Sequence, residues 1–277
     1  MIWHKFPIAV ATLSTALCLE VFVVPGFSTT NQRQYTQPTI QQNTDHSWEI
    51  SQIFRSPTNR GLPPAEAGAG SRGSSCVTYS KDPTSSDPKA VLNLTALVPK
   101  SNSPTEGELG LTVSDRPTFV GYIPKPNNVE SGELLIFEQV SDRPDRLLIR
   151  QSFPLSDREG IVSINLSANS PSLEVGKMYK WKLRIVCDPD DRSKDIVSNT
   201  VWLERIQPTP NLTNKLKNST PINLSAVYAE AGIWHEAIGS LIKARQTQPN
   251  NSTLVTNWEQ MLKSVGLERF LQIPIIN

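Results

Sequence analysis

Residues 177–187 set the pattern for the middle of the chain. Tyr179, Trp181, Leu183 and Ile185 alternate with Lys180, Lys182 and Arg184, so one side of an extended segment is apolar and the other basic. Such a period of two predicts a half-buried strand, because successive side chains leave a pleated backbone on opposite faces. Seven more short apolar or β-branched runs, at 91–98, 109–113, 118–123, 133–140, 146–153, 160–166 and 201–206, are separated by Pro, Gly, Asp or Asn. Short strands punctuated by turn residues predict an antiparallel β-sandwich over 76–207.

Past a stretch rich in Pro, Asn and Lys at 208–222, read as a linker, the period lengthens to about 3.6 and a small α-helical hairpin unit is expected over 223–267. In "LSAVYAEAGIWHEAIGSLIKARQTQPNN", Leu224, Tyr228, Gly232, Trp234, Ala237, Leu241, Ala244 and Pro249 fall on the spacing of a tetratricopeptide unit, which this segment resembles. A third helix follows, with Ser252 as its N-cap and Gly266 as its stop. One repeat lacks the neighbours that normally bury its faces, so it is expected to pack on the sandwich or on a partner. Ahead of the strand at 177–187, Leu173, Gly176 and Tyr179 are arranged as in the tyrosine corner of immunoglobulin-like and fibronectin-like sandwiches. The fold class expected is therefore mainly β plus α, an immunoglobulin/fibronectin-like sandwich followed by the helical unit.

The first residues change the compartment. Lys5 precedes an apolar run from 6 to 24, and Gly26 and Ser28 supply the small residues of a cleavage site, so 1–28 reads as a secretory signal peptide. Glu20 within the run argues against a stable spanning helix, and the chain is not expected to be an integral membrane protein unless this segment stays attached. Residues 29–75, rich in Gln, Asn, Ser, Pro and Gly, read as a flexible linker, and 268–277 as a C-terminal tail. Export leaves Cys76 and Cys187 as an even pair, most simply a disulfide. The expected location is the periplasm, outer envelope or extracellular space.

Charge and motifs exclude more than they assign. With 27 Lys and Arg against 26 Asp and Glu there is no general field to attract nucleic acid. None of the three histidines, His4, His46 and His235, lies in the predicted sandwich, and His235 is expected on a helix surface. A triad or histidine-based zinc site in the sandwich therefore lacks its ligand or base. No phosphate-binding glycine motif follows a predicted strand. The acidic "CDPDDRSKD" at 187–195 offers Asp188, Asp190, Asp191 and Asp195 as a weak calcium candidate, but Arg192 interrupts the template and an Asx-rich turn is the favoured reading. "SDRP" at 114–117 and 141–144 reads either as turn residues with local ion pairs or as an Arg-based site for a carboxylate or sugar. Trp181 is in phase with the core. Trp202 and Tyr122 on strands, with Tyr228 and Trp234 on the helices, are the candidate binding aromatics.

Several blocks occur together: "GLPPAEAGAGSRG" at 61–73, Cys76, "LTALVP" at 94–99, "LGLTVSDRPTFVGYIP" at 109–124, "LEVGKMYKWKLRIVCDPDDRS" at 173–193, "VYAEAGIWHEAI" at 227–238 and "MLKSVGL" at 261–267. In order and wording they resemble the exported cyanobacterial family defined by a domain of unknown function (number 928), over about 61–274. The resemblance implies compartment and extent and supplies no activity. It also implies a tryptophan-rich strand after "RPTF", where this chain has Val120, Gly121 and Tyr122. The reading of the whole is a non-enzymatic protein–protein interaction module of the cell envelope without a resident cofactor, its partner an envelope or extracellular protein. The alternative is a carbohydrate-binding module for polysaccharide, with an exposed strip containing Trp202 or Tyr122.

Overall fold

The computed structural model describes residues 53–57, 62–65 and 76–276 apart from 130, 141 and 142. The signal peptide, His4, His46 and most of the expected linker lie outside the described residues. Among the described residues eleven strands are formed: β1 (Val77–Thr78), β2 (Thr95–Ala96), β3 (Leu109–Thr112), β4 (Thr118–Ile123), β5 (Lys125–Pro126), β6 (Ser131–Glu138), β7 (Arg146–Pro154), β8 (Gly160–Asn165), β9 (Met178–Ile185), β10 (Ile196–Val197) and β11 (Val201–Arg205). The helices are α1 (Pro210–Lys217), α2 (Leu224–Glu230), α3 (Trp234–Thr247) and α4 (Ser252–Ser264).

Period-two patterning has the expected effect in β9, where Tyr179, Trp181, Leu183 and Ile185 are buried and the intervening basic residues are half-buried. β9 lies inside the largest sheet, ordered β3-β11-β9-β6-β7 with β10 also on β9, while β2-β4-β8 form a second sheet and β1-β5 a small third. Phe119 of β4 meets Trp181 of β9 edge-on at 5.0 Å between ring centroids. A Cβ on Gly121 of β4 would meet the Leu183 side chain of β9, so the two sheets approach closely at this glycine. The strands are not all antiparallel: β11 pairs with β3 in parallel. The Tyr179 hydroxyl accepts a hydrogen bond from the Glu174 backbone amide at 2.8 Å, closing the turn that leads into β9.

The helical segment docks on the β-structure of its own chain. Trp234, Ala237, Ile238, Leu241 and Ile242 of α3 are buried, and Trp234 Nε1 donates to Leu97 O at 2.9 Å. Three boundaries differ from expectation. Within the expected linker at 29–75, Phe54 is buried edge-on against Trp234 at 5.2 Å, and its amide donates to Ser264 Oγ at 3.0 Å. One aromatic residue with a receptive pocket outweighs the polar composition around it. The expected linker at 208–222 contains α1, whose N-cap is Thr209 with Pro210 in the first turn, an arrangement hidden by the Pro and Asn content. The expected tail is strapped down, with Ile161 N donating to Pro274 O, Ile276 N donating to Ile161 O (both 2.8 Å) and Phe270 buried against Tyr122. The N-cap of α4 is Asn251, one residue before the expected Ser252, because its side chain reaches the amides of Thr253 and Leu254. Among the described residues no helix is long and apolar enough to cross a membrane.

Candidate functional site

Helical spacing places Glu236, Ser240, Lys243 and Gln246 along one side of α3, with Gly239 among them. This stripe faces Thr118 of β4 and Ser163 and Asn165 of β8, and the turn 114–117 closes one end. The space enclosed is an open cleft of about 460 Å³, within the range of small-ligand sites. Antiparallel pairing puts Thr118 opposite Asn165, and the Thr118 hydroxyl donates to Asn165 Oδ1 at 2.8 Å. A Cβ on Gly239 would lie 3.2 Å from Thr118, so glycine brings the helix close to the strand. A comparable hollow lined by the loop 101–108 lacks buried titratable groups, which is why the cleft beside α3 is the stronger candidate.

Three consecutive residues, Trp234, His235 and Glu236, fix α3 on the sheet end. His235 is 1% exposed, against the expectation of a helix-surface residue. Its ring lies edge-on to Phe119, and its Nδ1 is 2.9 Å from Thr118 O. A carbonyl only accepts, so Nδ1 carries the proton and Nε2 is left as a buried, unpartnered acceptor. A Cβ on Gly110 would come within 2.7 Å of that Nε2, so the ring end is packed against β3, while His235 also contributes to the cleft lining. Burial pushes the imidazole pKa down to about 4. Glu236 accepts from the Thr112 hydroxyl at 2.5 Å and the Ser114 amide at 3.2 Å, and burial raises its carboxyl pKa. These groups hold the helix in place, and among the described residues no hydroxyl or thiol nucleophile is hydrogen-bonded to His235. Glu236 is the single acidic residue in the lining, whereas glycoside hydrolysis ordinarily uses two facing carboxyls. The site was hard to find in the sequence because His235 is buried by Gly110, a residue remote along the chain; "WHE" opening a helix was the available signal.

The other predicted residues are dispersed. Cys76 and Cys187 form a disulfide with Cα atoms 5.6 Å apart, joining positions separated by 111 residues. In the acidic segment, Lys194 binds Asp188 at 2.7 Å, and Asp191 accepts from the Ser193 amide and hydroxyl at 3.1 and 2.6 Å. These contacts hold the Asp188 and Asp191 carboxyls below their ordinary range. Asp190 is exposed, while Asp195 is buried beside Arg184 and Arg192 at 3.5 and 3.4 Å. The segment folds as a turn whose carboxylates already face cations and amides, and among the described residues no group of three or more His, Cys, Asp or Glu is placed to hold a metal.

The aromatic strip does not form. Trp202, Tyr122 and Trp234 are each 0–1% exposed, and Tyr228 is half-buried. The strands' second faces are covered by the segments expected as linker and tail, through Pro64 and Phe270. Trp202 Nε1 donates to Pro64 O at 3.1 Å, and the Tyr122 hydroxyl donates to Glu159 at 2.8 Å. Of the two "SDRP" motifs, the second begins outside the described residues. The first borders the cleft, where Arg116 binds Asp115 at 2.8 Å and Ser170 O at 3.0 Å.

A disulfide is the mark of an oxidising, extracytoplasmic compartment. No curated protein matches the chain. Its residues 67–275 match the model of a family described as Domain of Unknown Function (DUF928), and with three quarters of its length inside that match the chain belongs to this family.

Proposed function

We propose that this protein is a non-catalytic binding module acting outside the cytoplasm, in the envelope or matrix, and that the cleft beside α3 receives a saccharide. The observation that carries the proposal is the lining: Ser114, Thr118, Ser163, Asn165, Ser240 and Gln246 bring hydroxyl and amide groups from separate elements to one concave surface. Such groups match a hydroxyl-rich ligand in both donor and acceptor character. The signal-like N-terminus and the disulfide support the location, and the exported cyanobacterial family resembled in sequence is consistent with it. An immunoglobulin-like sandwich draws support from the Tyr179 corner, and a tetratricopeptide-like hairpin from the spacing of Leu224 to Pro249.

A protein partner was the first expectation, motivated by a helical repeat in need of a neighbour. The burial of α3 against β3 and β4 supplies that neighbour within the chain, which weakens the motive. Calorimetry of the mature protein with a panel of neutral and acidic oligosaccharides tests the proposal. Binding that disappears in Ser240→Trp, which fills the cleft, is the expected result. Absence of binding to every oligosaccharide, or binding indifferent to that substitution, would overturn it.

A further inference from the structure

The charge of the cleft narrows the ligand further, on the reading that the cleft holds a saccharide. Its lining contains two cations, Arg116 and Lys243, and one acid, Glu236. These three are not equivalent. Arg116 is bound by Asp115, which lies outside the lining, and by Ser170 O, so its charge is largely offset where it stands. Glu236 is turned toward Thr112 and Ser114, its Oε1 engaged and its Oε2 buried without a partner. Burial favours the uncharged acid, so Glu236 contributes little negative potential at the mouth.

Lys243 differs from both. It is exposed on the open side of α3, one turn beyond Gly239 and Ser240, and no carboxylate of the described residues lies within ion-pair distance of it. Lysines elsewhere on the surface do find such partners: Lys100 with Glu108, Lys177 with Glu138, Lys194 with Asp188 and Lys215 with Glu230. The cleft therefore offers a polar floor of paired hydroxyl and amide groups, with one uncompensated ammonium at its edge. A ligand that is neutral leaves this charge idle, whereas one with a carboxylate gains a charge-assisted hydrogen bond. We infer that the cleft takes a carboxylate-bearing saccharide, with Lys243 reading the acidic group and the Thr118–Asn165 floor reading hydroxyls.

The probes are trigalacturonate and its neutral counterpart galactotriose, titrated calorimetrically into the full mature protein at low and at physiological salt. Trigalacturonate is expected to bind more tightly, to weaken with salt, and to lose about tenfold in affinity in Lys243→Glu. Lys243→Met, which keeps the aliphatic stem, is expected to lose the preference for the acid while retaining the affinity for galactotriose. Both substitutions are at an exposed helix position, so circular dichroism and the unfolding midpoint are expected to remain those of the parent protein. Equal binding of the two sugars, or trigalacturonate binding unchanged in Lys243→Glu, would overturn the inference and leave the saccharide reading standing. Binding of neither sugar would overturn the inference, and the reading beneath it would fall only if the wider panel also failed.

Discussion

Acidification from pH 7 to pH 5 is expected to destabilise the fold through one side chain. His235 titrates at about 4 in the native state against an ordinary value of 6.5, because its ring is buried and Nε2 has no acceptor to meet a second proton. The unfolded chain therefore binds the proton first, and stability falls as pH drops. His235's contribution is fully present above 6.5 and is lost as pH falls through 4. At about 1.4 kcal/mol per unit of difference, the loss is about 2 kcal/mol at pH 5 and about 3 kcal/mol below pH 4. Glu236 works in the opposite direction, since a raised carboxyl pKa favours the native state at low pH, so a single pH series mixes the two. His235→Asn separates them: the amide nitrogen can still donate to Thr118 O, nothing at that position titrates, and Glu236 is unchanged. Urea unfolding followed by tryptophan fluorescence at pH 7 and pH 5 gives the four stabilities needed. The variant is expected to be less stable at pH 7, from lost ring packing, yet to lose about 2 kcal/mol less on acidification. Equal losses in the two proteins would refute the assignment of His235 as a buried neutral imidazole.

Other contacts give sharper contrasts. Reduction of the Cys76–Cys187 bond, or Cys187→Ser, releases a loop spanning 111 residues and is expected to cost about 4–5 kcal/mol in the chain-entropy model, read as a lower urea midpoint with dithiothreitol than without; identical midpoints would deny the bond a stabilising role. Arg184 sits between the buried carboxylates Glu133 and Asp195, so Arg184→Ala should cost about 3–5 kcal/mol, whereas Lys194→Ala, which removes only solvent-screened pairs, should leave the unfolding midpoint close to that of the parent in the same chemical denaturation assay. Phe54→Ala should cost about 3 kcal/mol although Phe54 lies in a polar stretch, and a change below about 0.5 kcal/mol would show that its contact with Trp234 is incidental.

What could be read in the sequence follows the reach of each signal. Strand β9 was legible because its own alternation determines which side chains are buried. Strand neighbours were not, since the parallel pairing of β11 with β3 depends on edges meeting across nearly the whole β-region. Trp202 illustrates the same limit: its phase along β11 was ambiguous, and Pro64, from a stretch read as linker, decides its burial. Helix α3 was legible from Trp234, Ala237, Leu241 and Ala244. Yet a periodic stripe does not report that the adjacent His235 enters a slot made by Gly110 and Phe119. Of the cleft only "SDRP" on one wall was visible; that the Ser240, Lys243 and Gln246 side of α3 meets it is tertiary.

The placement of the two ends of the folded part has a consequence for how the protein is made. Phe54, near the beginning, rests on Trp234 and Ser264, β3 waits for β11, and β8 is tied by Pro274 and Ile276 close to the last residue. Synthesis is vectorial, so the earliest segment emerges without the surfaces it will occupy. Contacts this distant in sequence favour slow closure, and a chain halted before α4 lacks both the Ser264 contact of Phe54 and the strap on β8. Nascent chains should therefore stay extended and protease-sensitive until the segment through Ile276 has been synthesised, which leaves the Cys76–Cys187 bond to close late on a chain whose packing is only then complete.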